Sequence, residues 1–121
     1  MGRKATFAVC TLNQWALDFD GNVERILVSV KEAKAKGAKY RTGPELEITG
    51  YSCEDHFLES DTLLHSWQVL ETLLEHPECQ GILVKSLITY LKRLFYLPLS
   101  MIFFTKKVFL PIIFRWTLVC L

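Results

Sequence analysis

An α/β fold is predicted for this 121-residue chain by three consecutive segments. Ala5–Leu12 (ATFAVCTL) is a short apolar, β-branched and aromatic run, as in a buried strand. Val23–Lys36 repeats apolar residues at helical spacing, and Ala38–Thr42 begins a second extended segment. Strand, helix and strand in this order make a βαβ start, the unit of a parallel sheet.

Each element follows from local chemistry. Asn13–Gly21 reads as a loop, with Asp18, Asp20 and Gly21 as breakers. Asn22 is placed to cap the first helix, in which Val23, Ile26, Leu27, Val30, Ala33 and Ala35 sit mostly on one face. Lys31, Lys34 and Lys36 favour its C-terminal end, and Gly37 stops it. Ser60 or Asp61 can cap a second helix with an apolar stripe of Leu63, Leu64, Trp67, Leu70, Leu73 and Leu74. Pro77 ends it. His56, His65 and His76 share no helical face with a carboxylate at ligand spacing, so no metal site is expected.

The charge changes sign along the chain. Residues 1–78 hold all 13 acids and 8 of the 14 Lys and Arg, a formal −5. The remaining residues hold no acid and 6 basic groups. A net charge of +1 gives no sign of a nucleic-acid partner. From about Ile82 long apolar blocks alternate with isolated Lys or Arg. A membrane span is not expected, because a span needs roughly 20 predominantly apolar residues and Pro98 and Lys106-Lys107 interrupt this region. Two blocks divided by a Lys pair suggest a hairpin of strands. Cys10, Cys53, Cys79 and Cys120 form no CxxC pair, so four reduced thiols and a cytoplasmic location are expected.

The most informative stretch is Arg41-Thr-Gly-Pro-Glu-Leu-Glu-Ile-Thr-Gly-Tyr-Ser-Cys53. It sets Glu45 after a Gly-Pro turn and ahead of an apolar–polar alternation that closes at Gly50, which predicts an acid at the mouth of a strand. Proline fixes φ, and the residue before it is driven from the helical region. A carboxylate held in that way suits proton transfer, where geometry precedes pKa. On these residues alone a solvated loop acid is the simpler reading.

The wider pattern alters that balance. The stretches Met1–Lys4, Leu12–Asn22, Arg41–Tyr51, Asp55-His56 and Glu59–Ser66 together resemble the N-terminus of the eukaryotic glutamine-dependent NAD⁺ synthetase family. Glu54 stands where that family is expected to carry tryptophan. The resemblance implies the N-terminal part of a nitrilase-type αββα sandwich, incomplete in this chain, over residues 1–82, followed by a divergent apolar and basic tail over 83–121. It also implies a Glu-Lys-Cys triad in which Glu45 is the general base, a lysine stabilises the oxyanion and a cysteine attacks the amide of glutamine. Glu47 is expected to be a supporting or surface carboxylate.

Lysine and cysteine have no counterpart here. An ungapped continuation places Phe114 where the lysine belongs, Lys106 and Lys107 fall in a hairpin, and none of the four cysteines has the nucleophile's context. Cys10 reads as strand core and Cys53 as a loop thiol near the site. Lys85–Ser100 and Pro111–Leu121 are therefore expected to be frame-altered or alternatively spliced, with Met101–Leu110 returning in register. ATP and Mg²⁺ would belong to the parent's synthetase domain, which would amidate deamido-NAD⁺ within a homo-oligomer. No cofactor is expected in this chain. It is expected to be inactive alone. The competing expectation is a non-catalytic interaction or membrane-associating protein that uses the N-terminal half and the basic apolar tail.

Overall fold

Three parallel strands and two crossover helices organise the N-terminal part of the computed structural model, which describes residues 2, 4–88, 100–105 and 108–113. The elements run β1 (Phe7–Val9), α1 (Phe19–Ala35), β2 (Tyr40–Thr42), α2 (Ser60–Glu75), β3 (Leu83–Ile88), β4 (Ser100–Thr105) and β5 (Val108–Ile113). Short 3₁₀ turns at Glu54–Leu58 and Pro77–Cys79 flank α2. The α/β expectation holds. The strands form one sheet in the order β1-β2-β3-β4-β5. β1, β2 and β3 pair in parallel, and β4 and β5 join antiparallel.

The β4–β5 hairpin is the one that the divided apolar blocks predict. Pro111 sits in β5, an edge strand among the described residues, where proline is tolerated. Lys106, Lys107, Phe114 and Cys120 lie outside the described residues.

Register sorts the side chains onto two faces. Ala8, Arg41 and Val84 lie side by side on neighbouring strands, and Phe7, Tyr40 and Leu83 form the adjacent row. Successive side chains alternate across a sheet, so the two rows face opposite sides. The first row faces the helices: Val84 joins Ile26, Val30 and Ala33 of α1 and Val69, Leu70 and Leu73 of α2 in one buried cluster. Burying each large apolar side chain there contributes about 1.5–3 kcal/mol. On the other face Phe7 and Val9 stay 67% and 83% exposed, and Phe7 meets the Tyr40 ring edge-on at 5.8 Å. The expected buried strand is thus an edge strand whose outward row no described residue covers.

Both helices depart from the simple periodicity. α1 begins four residues before Val23, capped by Asp18, whose carboxylate accepts the Gly21 N–H. Asn22 falls inside the helix and is completely buried, so it does not cap. Gly37 ends the helix as expected, at φ +77°. In α2 the buried stripe is Thr62, Ser66, Val69, Leu70 and Leu73, while Leu64 and Trp67 face outward. Small residues at positions 62 and 66 let the inner face approach its neighbours closely, and the bulkier Leu64 and Trp67 are turned away. The Ser66 and Thr72 hydroxyls each donate to the carbonyl four residues back, which satisfies these groups within the helix. Among the described residues no helix is long and apolar enough to cross a membrane.

Candidate active site

Glu45 lies just beyond the C-terminal end of β2, three residues after Thr42. In α/β sheets that edge, where parallel strands end and loops begin, is where ligand sites are built. The segment does not continue as a strand. Glu45–Thr49 is a turn, closed by the Gly50 N–H donating to the Leu46 carbonyl at 2.8 Å. The expected alternation fails because Glu47, Ile48, Thr49 and Gly50 are all buried in succession, and only Glu45 is exposed. A strand would send every second residue to solvent. Here the chain coils once and is fixed from below.

That fixing starts with Glu47. Its Oε2 accepts from Arg41 Nη1 at 2.7 Å, and neither side chain has any solvent exposure. Arg41 Nη2 and Nε also donate to Ser29 Oγ at 2.7 and 3.1 Å, and the Ser29 hydroxyl donates to the Ile26 carbonyl. An arginine thus lies among the helix-facing residues of the central strand, tied to α1 on one side and to the turn on the other. Glu47 Oε1 and Ser86 Oγ are both buried, and the Ser86 hydroxyl favours the ionised carboxylate. Burial raises the Glu47 carboxyl above its ordinary value, against the opposing pull of the Arg41 guanidinium. Of the two expectations for Glu47, the supporting role is the one that the structure shows. Gly43 is part of the same arrangement: a Cβ there would run into the Glu47 carboxylate and the Arg41 guanidinium.

A second set of contacts comes from the loop ahead of α1. Gln14 Nε2 donates to the Glu47 carbonyl at 2.7 Å and to the Asn22 carbonyl at 3.0 Å. Asn22 Nδ2 donates to the Ile48 carbonyl at 3.0 Å and to the Trp15 carbonyl at 2.8 Å. The Leu17 N–H donates to the Thr49 carbonyl at 2.8 Å. Arg25 ties the loop together by donating to Gln14 Oε1, Asn22 Oδ1 and Asp18 Oδ2. That partnership with Arg25 holds the Asp18 carboxyl below its ordinary value.

Backbone conformation records how tightly the two loops meet. Leu17, Ser52 and Glu54 have φ of +58°, +67° and +47°, and Gly50 has φ +80°. Left-handed conformations in residues with side chains persist only where surroundings impose them. A Cβ on Gly50 would strike the Trp15 carbonyl. Glu54, the residue that departs from the expected tryptophan, opens the 3₁₀ turn and is exposed.

The remaining candidates have local partners. The Cys53 thiol is buried and donates to the Thr49 and Gly50 carbonyls, so it braces the turn. Cys10 is half-buried and lies past the end of β1, not in a strand core. Burial pushes the Cys79 thiol up to about 11. His56 approaches Glu59 at 3.0 Å, His65 packs on the Phe19 ring, and His76 Nδ1 accepts the Glu78 N–H. No cluster of three metal-ligating side chains occurs among the described residues.

Glu45 itself stands clear of the described grooves. One, of about 720 Å³, runs between β1 and α1 past Cys10, Arg25 and Val28. Another, of about 630 Å³, lies between Asp18, Phe19 and His65. Sequence reasoning located the acid but missed Gln14, Asn22 and Arg41, which hold its turn. The available signal was Arg41, a charged residue within an extended segment, whereas Gln14 in a loop and Asn22 at a cap position each had a local explanation.

Residues 6–97 match the carbon–nitrogen hydrolase family. Over 84 residues the chain is 67% identical to a glutamine-dependent NAD(+) synthetase of Drosophila melanogaster, a match spanning 69% of this chain and 11% of that protein. Over 110 residues it is 54% identical to the Macaca fascicularis protein of the same description, spanning 91% of this chain and 16% of the other. A glutamine-dependent NAD(+) synthetase from Cytophaga hutchinsonii superposes with a TM-score of 0.71 at 25% identity, covering 85% of this chain and 17% of that one. The chain therefore spans roughly a ninth to a sixth of the length of these relatives.

Proposed function

The chain belongs to the carbon–nitrogen hydrolase family, and we propose that it supplies the general-base segment of a glutamine-hydrolysing NAD⁺ synthetase, with Glu45 as the base. The observation that carries this reading is the placement of Glu45. It is the one exposed residue of a turn otherwise buried from Glu47 to Gly50, at the edge of the sheet where the parallel strands end. An acid presented in that way can exchange protons with a group docking from outside the described residues.

The chemistry that fits it is acyl transfer through a thiol. Glu45 takes the proton of a cysteine thiol, and the thiolate attacks the carboxamide carbon of glutamine. A lysine stabilises the developing oxyanion. Collapse of the tetrahedral adduct breaks the C–N bond, and the proton on Glu45 goes to the departing nitrogen, which leaves as ammonia. Glu45 then accepts a proton from water as it attacks the thioester, and returns it to the departing thiolate. Cysteine and lysine have no assigned counterpart in this chain, so alone it does not turn over glutamine.

The ammonia would amidate deamido-NAD⁺ with ATP and Mg²⁺ in the part of the relatives that this chain does not span, within a homo-oligomer. The composition changes near residue 82, whereas the family match runs on to residue 97 and the backbone of β3, β4 and β5 keeps extending the same sheet. Free thiols at Cys10, Cys53 and Cys79 suit the cytoplasm.

Two measurements test this. Ammonia release from glutamine by the purified chain should equal that of its Glu45→Gln variant; a clear excess overturns the inactive state. Residues 6–84 should also be transplanted into the Drosophila synthetase. There Glu45→Gln should abolish glutamine-dependent amidation and spare amidation with added ammonia. Unchanged glutamine use in that variant overturns the role of Glu45.

A further inference from the structure

We propose that the side-chain amides of Gln14 and Asn22 are positioning residues for Glu45, clamping the backbone of its turn so that the carboxylate projects in one direction. The inference rests on the reading of Glu45 as the base and names what orients it.

Three successive carbonyls of the turn are each captured by the same upstream segment. The Glu47 carbonyl accepts from Gln14 Nε2, the Ile48 carbonyl from Asn22 Nδ2 and the Thr49 carbonyl from the Leu17 N–H. The Leu46 carbonyl accepts from Gly50 within the turn. Every carbonyl from 46 to 49 is thereby fixed in direction, and the peptide planes follow.

Neither amide has a donor to spare. Both Nε2 hydrogens of Gln14 and both Nδ2 hydrogens of Asn22 are donated. Their oxygens accept from Arg25, and that of Asn22 also from the Trp15 N–H. A buried amide satisfied at each atom has one orientation, because rotation would break every bond together. Apolar residues of similar size would fill the space but leave the carbonyls unpaired, which costs more than the bonds contribute. Glu45 makes no hydrogen bond of its own among the described residues, so its direction comes from the turn.

The full chain tests the clamp directly. Asn22→Asp and the milder Gln14→Glu keep side-chain shape and the accepting oxygen but remove the donors. Backbone amide exchange should accelerate about tenfold at Leu17 and Gly50, and stay within about twofold at Leu70 and Leu73 in the core of α2. Equal acceleration at all four positions, or no change at Leu17 and Gly50 in both variants, overturns the proposal. In the synthetase carrying the transplanted residues, the same variants should lower kcat for glutamine about tenfold with KM held within about twofold. A loss confined to KM, or none, overturns it. If Glu45→Gln in that protein has no effect, the reading of Glu45 is wrong, while the exchange result still decides the clamp.

Discussion

Arg41 and Glu47 form a solvent-free ion pair, 2.7 Å from nitrogen to oxygen, between the central strand and the turn that bears Glu45. Removing one partner leaves the other charged and dry. Arg41→Met or Glu47→Leu alone should cost about 3–5 kcal/mol. The double variant should cost much less than the sum of the two singles. Urea titrations of the two singles and the double check this, and additivity would show that the pair does not act as a unit.

Gly50 adopts φ +80° against the Trp15 carbonyl. Gly50→Ala meets both a disfavoured backbone region and a collision with fixed backbone. The expected loss is about 1–3 kcal/mol. Gly37 has a similar φ but open space around it, so Gly37→Ala should cost about 1 kcal/mol. Thermal unfolding of the two variants side by side separates conformational strain from crowding.

The orientation of α2 makes opposite demands on two leucines. Leu73 is completely buried and Leu64 is 55% exposed. Leu73→Ala should lose about 2–5 kcal/mol, and Leu64→Ala less than about 1 kcal/mol. Equal losses at both positions would restore the stripe that simple periodicity draws.

Acid stability should carry the signature of Asp18. Its folded carboxyl titrates below the ordinary value near 3.8 because Arg25 and the Gly21 N–H favour the ionised form. The folded state then binds fewer protons there than the unfolded chain, and stability falls as pH drops below that value. Asp18→Asn, which keeps a capping oxygen, should flatten the stability profile between about pH 2 and 4. Chemical denaturation at low salt across that range measures it.

Thiol reactivity should rank by burial. Cys79 is buried, with its pKa pushed up to about 11, whereas Cys10 is half-buried. Only the thiolate is nucleophilic, so a maleimide at neutral pH should label Cys10 well before Cys79. Peptide mapping of the partly labelled native chain shows the order, and early labelling of Cys79 would mean that the core around Leu73 opens readily.

Particular residues show how much could be read in advance. Val23, Ile26, Leu27 and Val30 fixed α1 because burial on one helical face leaves a strong period. Gly37 and Pro77 fixed two helix ends, since their backbone limits act locally. Asn22 does not cap because the Asp18 side chain takes the first-turn Gly21 N–H, while the Asn22 amide is used by the Trp15 carbonyl and by the Ile48 carbonyl 26 residues away in sequence. The Glu45–Thr49 turn was misread as a strand for a similar reason. Its shape depends on long-range partners at Gln14, Leu17 and Arg41, and alternation of residue type carries no trace of them. Glu45 was located by its motif, whereas its supports depend on contacts that only the folded chain brings together.

Gly43 adds a constraint on how this segment can change over time. The ion pair rests against its bare Cα, where a Cβ would collide with both charged groups. A larger residue at position 43 becomes tolerable only after positions 41 and 47 have changed, and each of those steps alone strands a charge. Positions 41, 43 and 47 are therefore mutationally interlocked. A drifting copy of this segment, freed from any demand for catalysis, would still be held to those three residues by its own folding, while the exposed Glu45 between them would be free to change.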